Sequence, residues 1–168
     1  MRNNAGFTLM ELAITVAISA ILLAIAVPNM IAWRDNAAHR GAVNTLSGDL
    51  AVAKQSAIRR NSNVVVDFSA DGYLIYIDNG DGTADADADG VPDGMNNDIQ
   101  DGTERTLRER ALTPGVAIDL AASTFAGNST MFDRTGRCPA AAVGQVVVTG
   151  ANLQNTIAVN RLGRITVN

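Results

Sequence analysis

The feature that most constrains this chain is an apolar run over residues 7–27. Its 21 residues match the roughly 20 that an α-helix needs to cross about 30 Å of hydrocarbon. A secretory signal peptide is cut at a small-residue site after its apolar stretch and is then lost. In this chain Pro28 follows the run, whereas the small Gly6 stands before it. The run therefore predicts a retained, single-span membrane helix behind a short leader, and Arg2 favours a cytoplasmic position for that leader.

Glu11 is the anomaly in this run. An ionised carboxylate inside a bilayer is costly unless it is paired, so an acid there suggests a function. The alternative is a position near the membrane surface, where the partial positive charge of the helix N-terminus favours an acid. The residues alone leave both interpretations open.

The string Gly6-Phe7-Thr8-Leu9-Met10-Glu11-Leu12, followed by an apolar run that reaches Pro28, resembles the prepilin motif of type IV pilins and type II secretion pseudopilins. The resemblance implies that a prepilin peptidase cleaves between Gly6 and Phe7, methylates Phe7 and leaves the helix in place. It also implies that Glu11 contacts a neighbouring subunit during filament assembly. The physical reasoning agrees, because cleavage creates an α-ammonium group at Phe7, the kind of partner that a buried Glu11 requires.

Helical periodicity continues past Pro28 and predicts one helix over about residues 7–60. Pro28 is expected to kink this helix without ending it. Apolar residues recur at 3-4-3-4 spacing on one face, namely Val43, Leu46, Leu50, Ala53 and Ala57. The opposite face carries polar residues, namely Arg40, Asn44, Lys54, Gln55 and Arg59. We expect residues 7–28 to form the transmembrane or filament part of the helix and residues 29–61 to form its amphipathic part.

Residues 62–168 predict a β-rich globular head. Two β-rich segments flank Ser69-Ala70-Asp71-Gly72, a sequence typical of a hairpin turn. The expected strands cover residues 64–68, 73–78, 116–120, 129–132, 146–148, 156–160 and 164–167, with a turn at Leu162-Gly163. Strands that follow a long helix, instead of alternating with helices, predict the α+β class with an antiparallel sheet.

The order of these elements resembles the GspH/FimT-like branch of the minor pilins. The similarity rests on Phe132-Asp133-Arg134-Thr135-Gly136-Arg137, on Leu162-Gly163-Arg164-Ile165 and on a strand-entry pattern over residues 107–118. It implies the pilin fold, in which a long N-terminal helix packs on an antiparallel sheet. It also implies a minor subunit of a type IV pilus or of a type II secretion pseudopilus.

Residues 78–101 hold eight aspartates and neither lysine nor arginine. Asp85, Asp87, Asp89 and Asp93 fit the pattern D-x-D-x-D-G-x-x-D, in which alternating oxygen ligands and a glycine let a short loop wrap Ca²⁺. The closing glutamate of a complete EF-hand is absent. The alternative is a solvated acidic insertion that self-repulsion keeps unfolded. Of the two, we favour a calcium site.

Residues 134–168 carry four arginines and no acid. Some FimT-like pilins bind DNA through a C-terminal Gly-Arg-x-Arg motif, and the resemblance would place such contacts at Arg161 and Arg164. Thr166 stands where the second arginine of that motif is expected. Phosphate binding depends on the number of neutralising cations, and four scattered arginines beside an acidic segment predict a modest patch. DNA is therefore the less favoured partner.

The chain offers little for catalysis, because His39 is its one histidine and Cys138 its one cysteine. We expect His39 to be a helix-surface or packing residue and Cys138 a small packed residue. A Cys–His nucleophile pair or a zinc site is not credible with these numbers, and we expect no enzymatic activity.

These observations predict a single-pass protein of the bacterial inner membrane with its head in the periplasm. After removal of leader 1–6 it would assemble with other pilin or pseudopilin subunits into a pilus or pseudopilus. Two alternatives stay open: a pilus-associated DNA receptor for natural transformation, and a plain single-span membrane protein with a calcium-binding head.

Overall fold

A long N-terminal helix is the first element of the computed structural model, which describes residues 8–78 and 104–168. Helix α1, Leu9–Arg60, has 52 residues and is about 78 Å long at 1.5 Å per residue. The helix continues through Pro28, as predicted. Its start differs from the predicted residue 7, because the Thr8 side chain accepts the N–H of Glu11 and so caps the first turn. At the other end Asn61 takes a left-handed conformation, with φ 53°, and donates its N–H to the carbonyl of Ala57.

Eight strands follow the helix and form two antiparallel sheets of four strands each. The strands are β1 Asn63–Ser69, β2 Gly72–Asp78, β3 Arg105–Ala111, β4 Ala117–Asp119, β5 Ser129–Phe132, β6 Gly144–Thr149, β7 Gln154–Val159 and β8 Ile165–Val167. One sheet has the order β3-β2-β1-β5 and the other the order β4-β6-β7-β8. The α+β class, the antiparallel pairing and all seven predicted strands are confirmed, with shifts of at most two residues at their ends. The division into two sheets was not predicted.

Strand β3 is the main element that the sequence did not define. It carries four charged residues among seven, so it lacks the apolar alternation that marks a strand. It forms the edge of its sheet, where one side of the strand is open to solvent. Its pairing with β2 places Arg110 opposite Tyr73 and Arg108 opposite Ile75, and the register shifts between Ile75 and Tyr76.

The core lies between the second half of α1 and the two sheets. The predicted apolar stripe is confirmed, because all five of its residues are at most 4% exposed: Val43, Leu46, Leu50, Ala53 and Ala57. The strands contribute buried residues that include Val64, Val66, Ile75, Phe132, Val146, Val148 and Ile157. Lys54 was expected on the solvent face but is half-buried, because its ammonium group reaches back to the head. It donates to the carbonyls of Leu162 and Gly163, at 3.2 and 2.9 Å.

Candidate functional site

The first turn of α1 is closed by Thr8 and Glu11. The backbone N–H and the hydroxyl of Thr8 both donate to Oε2 of Glu11 at 3.0 Å, and the N–H of Glu11 donates to the Thr8 hydroxyl at 3.2 Å. This reciprocal arrangement is a capping box, which satisfies backbone donors that the helix leaves open. The capping box was not predicted from the sequence, although Thr followed three residues later by Glu is its known signature. Gly6 and Phe7, the predicted processing residues, lie outside the described part of the chain.

The first half of α1 is a continuous apolar surface that the chain itself leaves uncovered. From Leu9 to Trp33 the large apolar side chains are between 49% and 85% exposed. By length and composition, α1 is the one helix of the described residues that could cross a membrane. Monomeric soluble proteins rarely expose apolar surfaces of this extent, which mark contact with a membrane or with other proteins.

His39 and Cys138 are packing residues. His39 is 1% exposed, its Nε2 lies 3.0 Å from Oδ1 of Asn155, and its ring packs against Gly150. Cys138 is 3% exposed, and its thiol donates to the carbonyl of Ala142 at 2.9 Å. Among residues 8–78 and 104–168, no group of three or more His, Cys, Asp or Glu side chains is arranged to hold a metal ion.

A buried carboxylate, Asp49, ties the helix to the edge of the first sheet. Its side chain is 6% exposed and forms salt bridges with Arg108 at 2.9 Å and with Arg110 at 2.8 Å. The hydroxyl of Tyr73 donates to the same carboxylate at 2.7 Å. Burial, together with the hydrogen bond to Asp49 and its negative charge, raises the pKa of Tyr73 well above its usual 10. The hydrogen bond and charge of Asp49 also raise the pKa of Arg110.

This cluster was not predicted from the sequence, because its members come from the helix and from strands β2 and β3. Asp49 lies next to Leu50 of the apolar stripe, and an acid beside a buried stripe needs cationic partners. Arg108 and Arg110 stand at alternate positions and so point to one face of a strand. The acid at position 49 is visible from the helical stripe, but its two partners are visible only when 105–111 is recognised as a strand.

Two turns of the head share one sequence pattern: Asp or Asn, then Arg, any residue, Gly and Arg. The first turn, residues 133–137, follows β5, and the second, residues 160–164, joins β7 to β8. In each turn the first residue donates its N–H to the carbonyl of the fifth, at 2.8 Å and 3.1 Å respectively, and the glycine N–H donates to the carbonyl of the first residue at 2.8 Å. The Oδ1 atom of the first residue accepts the N–H groups of the third and fifth residues at 2.8 to 3.0 Å. We call these segments the twin turns.

The twin turns stack on each other and on the end of α1. Gly136 and Gly163 are both buried and both have positive φ, 76° and 65°. A Cβ on Gly163 would collide with the carbonyl oxygen of Gly136, and a Cβ on Gly136 would lie 2.6 Å from Ile58. The ammonium group of Lys54, on α1, donates to the carbonyls of Leu162 and Gly163 and so ties the second turn to the helix. This packing fixes the backbone from which the arginines project.

The arginines of the C-terminal third are therefore grouped, which corrects the expectation that they are scattered. All four are exposed, namely Arg134, Arg137, Arg161 and Arg164. Asp133 shares this surface, but its carboxylate is engaged in its own turn. Burial opposes its ionisation, yet hydrogen bonds from Thr135 and from the Arg137 backbone, with the charge of Arg137, lower the pKa of Asp133 overall. The two predicted DNA contacts, Arg161 and Arg164, both lie in the second turn.

The predicted calcium ligands Asp85, Asp87, Asp89 and Asp93 lie outside the described residues. The described chain stops on either side of them at Asp78 and Glu104, which are 4% and 9% exposed. Calcium binding therefore stays a prediction.

A long helix with an apolar, exposed first half and a second half packed against antiparallel sheets defines the pilin-like class of proteins. A family model described as type II transport protein GspH matches residues 42–163, and one described as prokaryotic N-terminal methylation motif matches residues 1–27. The chain belongs to the GspH family, which comprises minor pilins and pseudopilins. The resemblances to the prepilin motif and to the GspH/FimT-like branch are thereby confirmed.

Three individual proteins resemble parts of this chain in sequence or in fold. The chain is 57% identical over 37 residues to PilA4 of Thermus thermophilus, described as a type IV wide pilus major component, and the match covers 22% of this chain and 28% of that protein. Two crystal forms of the minor pilin FimU of Pseudomonas aeruginosa superimpose with TM-scores of 0.51 and 0.53 at 13% and 12% identity. They cover 77% and 81% of this chain and 91% and 92% of FimU. At these identities the likeness concerns the fold. The minor pseudopilin EpsH of Vibrio cholerae gives a TM-score of 0.49 at 10% identity, over 77% of this chain and 94% of EpsH.

Proposed function

We propose that this protein is a structural subunit of a type IV pilus or of a type II secretion pseudopilus and catalyses no reaction itself. The observation that carries the proposal is the division of α1 into two halves. The second half buries its stripe in the head, while the first half exposes apolar side chains all round. A helix that is apolar all round requires an apolar environment, either lipid or neighbouring helices. The membrane supplies this apolar environment before assembly, and the neighbouring helices supply it in the filament.

In this proposal the precursor spans the bacterial inner membrane once, with its head in the periplasm. Prepilin peptidase removes residues 1–6 and methylates the new N-terminal residue, Phe7. The exposed carboxylate of Glu11 then has two partners in succession. In the monomer it accepts the two hydrogen bonds from Thr8, and in the filament it contacts the α-ammonium group of a neighbouring subunit. An ion pair formed as the helices leave the lipid offsets the cost of burying the carboxylate.

The test separates processing from assembly. Gly6→Leu should block cleavage, which appears as a band of unshifted mobility, because the peptidase must accommodate the residue before the cut. Glu11→Ala should leave cleavage intact and greatly reduce incorporation into sheared filaments. Thr15→Ala is the matched control, since Thr15 is polar, lies in the same run, and its hydroxyl donates only to the carbonyl of Leu12 in its own helix among the described contacts. Normal incorporation of Glu11→Ala would contradict the assigned role of Glu11.

A second candidate function is DNA binding, and the observation that favours it is the grouping of four arginines on the twin turns. Four cations support binding that is weak and salt-dependent. The missing second arginine at position 166 and the nearby acidic segment count against it. A gel shift with duplex DNA at low salt, comparing the full chain with Arg161→Ala/Arg164→Ala, tests this candidate.

A further inference from the structure

The arginines of the twin turns form a cationic surface that makes no salt bridge within the described chain, and the one acid beside it, Asp133, is bound into its own turn. Among residues 8–78 and 104–168, the salt bridges involve Arg34, Arg108 and Arg110, and none of the four twin-turn arginines. The turns that carry them are rigid, since each is closed by four hydrogen bonds and a buried glycine. A rigid backbone reduces the entropy that is lost when a partner binds. The surface is therefore built to meet carboxylates or phosphates from outside.

The attachment points of the aspartate-rich segment, residues 79–103, lie at the same end of the head as the twin turns. Strand β1 begins at Asn63, directly after α1 ends, and Asn63 pairs with Asp78, the last residue of β2. The neighbouring Val64 pairs with Phe132, after which the first twin turn begins. Two chains with parallel stems would therefore bring the attachment point of the acidic segment of one, at Asp78, to the same height as the first twin turn of the other.

The two charged features leave the first sheet on opposite sides. The acidic segment joins β2 to β3, which form one side of the sheet, while the first twin turn leaves β5 at the other edge. Complementary surfaces on opposite sides of a subunit are the requirement of a heterologous contact, which repeats from subunit to subunit and builds rings or filaments.

We infer that the twin-turn arginines dock the aspartate-rich segment of a second copy of this chain. The contact is electrostatic, and arginine suits it because its planar fork binds carboxylates with two parallel hydrogen bonds. Nucleic acid is the less suitable partner, because the seven aspartates of residues 79–103 would repel phosphates close to the same end of the head. The inference rests on the proposed side-by-side assembly of subunits.

Zero-length cross-linking with a carbodiimide tests the contact, because the reagent joins carboxylates to amines and ignores arginine. Lys54 is the one lysine of the sequence, and its amine is held by two carbonyls. The variant Arg134→Lys/Arg161→Lys keeps the charge and introduces reactive amines on both turns. Arg40→Lys is the control, because that exposed position on α1 is about 30 Å from the helix end at 1.5 Å per residue.

Full-length chains, half of them labelled with ¹⁵N, are reconstituted together in lipid vesicles with a chelator and then cross-linked. We expect peptides that join the introduced lysines to aspartates of residues 79–103, with about half of them carrying mixed labels, and their loss at high salt. If every cross-linked peptide carried a single label, the segment would cover the arginines of its own chain, and the inference would be wrong. If no lysine–aspartate peptide formed, the proposed contact would not exist. The same experiment is repeated with added duplex DNA. If DNA binds through the four arginines and no aspartate cross-link forms, the surface is a nucleic-acid site and the inference is wrong. Because the vesicles require neither processing nor filaments, failure of the filament proposal leaves this result interpretable.

Discussion

Replacing Asp49 with asparagine should destabilise the head by about 3 kcal/mol. The Tyr73 hydroxyl loses an ionised acceptor at 2.7 Å, and a hydrogen bond to a buried charged group is worth about 1.5–3 kcal/mol. In asparagine an NH₂ group replaces one of the two carboxylate oxygens. This group is a hydrogen-bond donor, and it would face the guanidinium donors of Arg108 or Arg110. The side chains of Arg108 and Arg110 are 39% and 44% exposed. Water therefore replaces much of their interaction with the carboxylate, and the loss of each ion pair adds only as much to the destabilisation as the loss of a surface salt bridge.

Thermal unfolding of the full-length chain in detergent, followed by near-ultraviolet circular dichroism of the tyrosines, measures the effect. For a chain of this size about 3 kcal/mol corresponds to a decrease in Tm of about 6–12 °C. Asp35→Asn is the matched control, because Asp35 pairs with an arginine that is 81% exposed, across 3.8 Å, and should change Tm by little. Tyr73→Phe combined with Asp49→Asn should cost less than the two single changes together, since both remove the same bond. A Tm of Asp49→Asn within about 1 °C of the unaltered chain would refute the assignment of Asp49 as the contact that holds β3 to the helix.

Three further predictions concern the turns, the tyrosine and the aspartate segment. Gly163→Ala should destabilise the head by about 2 kcal/mol or more in the same melting assay, because of its positive φ and the collision with Gly136; Gly41→Ala, where an added Cβ meets nothing within 4 Å, should be neutral or stabilising. Because the pKa of Tyr73 is raised in the folded chain, stability should be fully retained below about pH 10 and should fall as the pH rises further; Tyr73→Phe should show a smaller fall. Calcium at 100 times its dissociation constant should stabilise the chain by about 2.7 kcal/mol if residues 85–93 bind it, and Asp87→Asn/Asp89→Asn should abolish the rise in Tm; a Tm that calcium leaves unchanged would rule out the calcium site.

The sequence predicted the parts of the fold whose signal is local. The stripe from Val43 to Ala57 repeats at the helical period, and each of its residues is buried as expected. The strands at the centres of the sheets are rich in β-branched residues, and they were found for that reason. Strand 105–111 was missed because an edge position tolerates charged residues, so its composition is that of a surface loop or helix.

The candidate site was predictable only where the residues stand close together in sequence. The prepilin motif and the aspartate pattern each lie within a short segment. The Asp49 cluster joins residues 49, 73, 108 and 110, and the twin turns meet across more than 20 residues of intervening chain. Contacts of this kind depend on strand order and register, which periodicity does not specify. The repeated Asx-Arg-x-Gly-Arg pattern was visible in the sequence, however, and its recurrence was the signal that could have grouped the four arginines.

The central claim is that the apolar first half of α1 belongs to the mature protein and that processing occurs before it. Intact-mass measurement of the protein purified from its native membrane tests this most directly. We predict a chain that begins at Phe7, lacks residues 1–6 and carries one additional methyl group on its N-terminus. A chain that keeps Met1 and the rest of the leader, or one that has lost the apolar run, would contradict it.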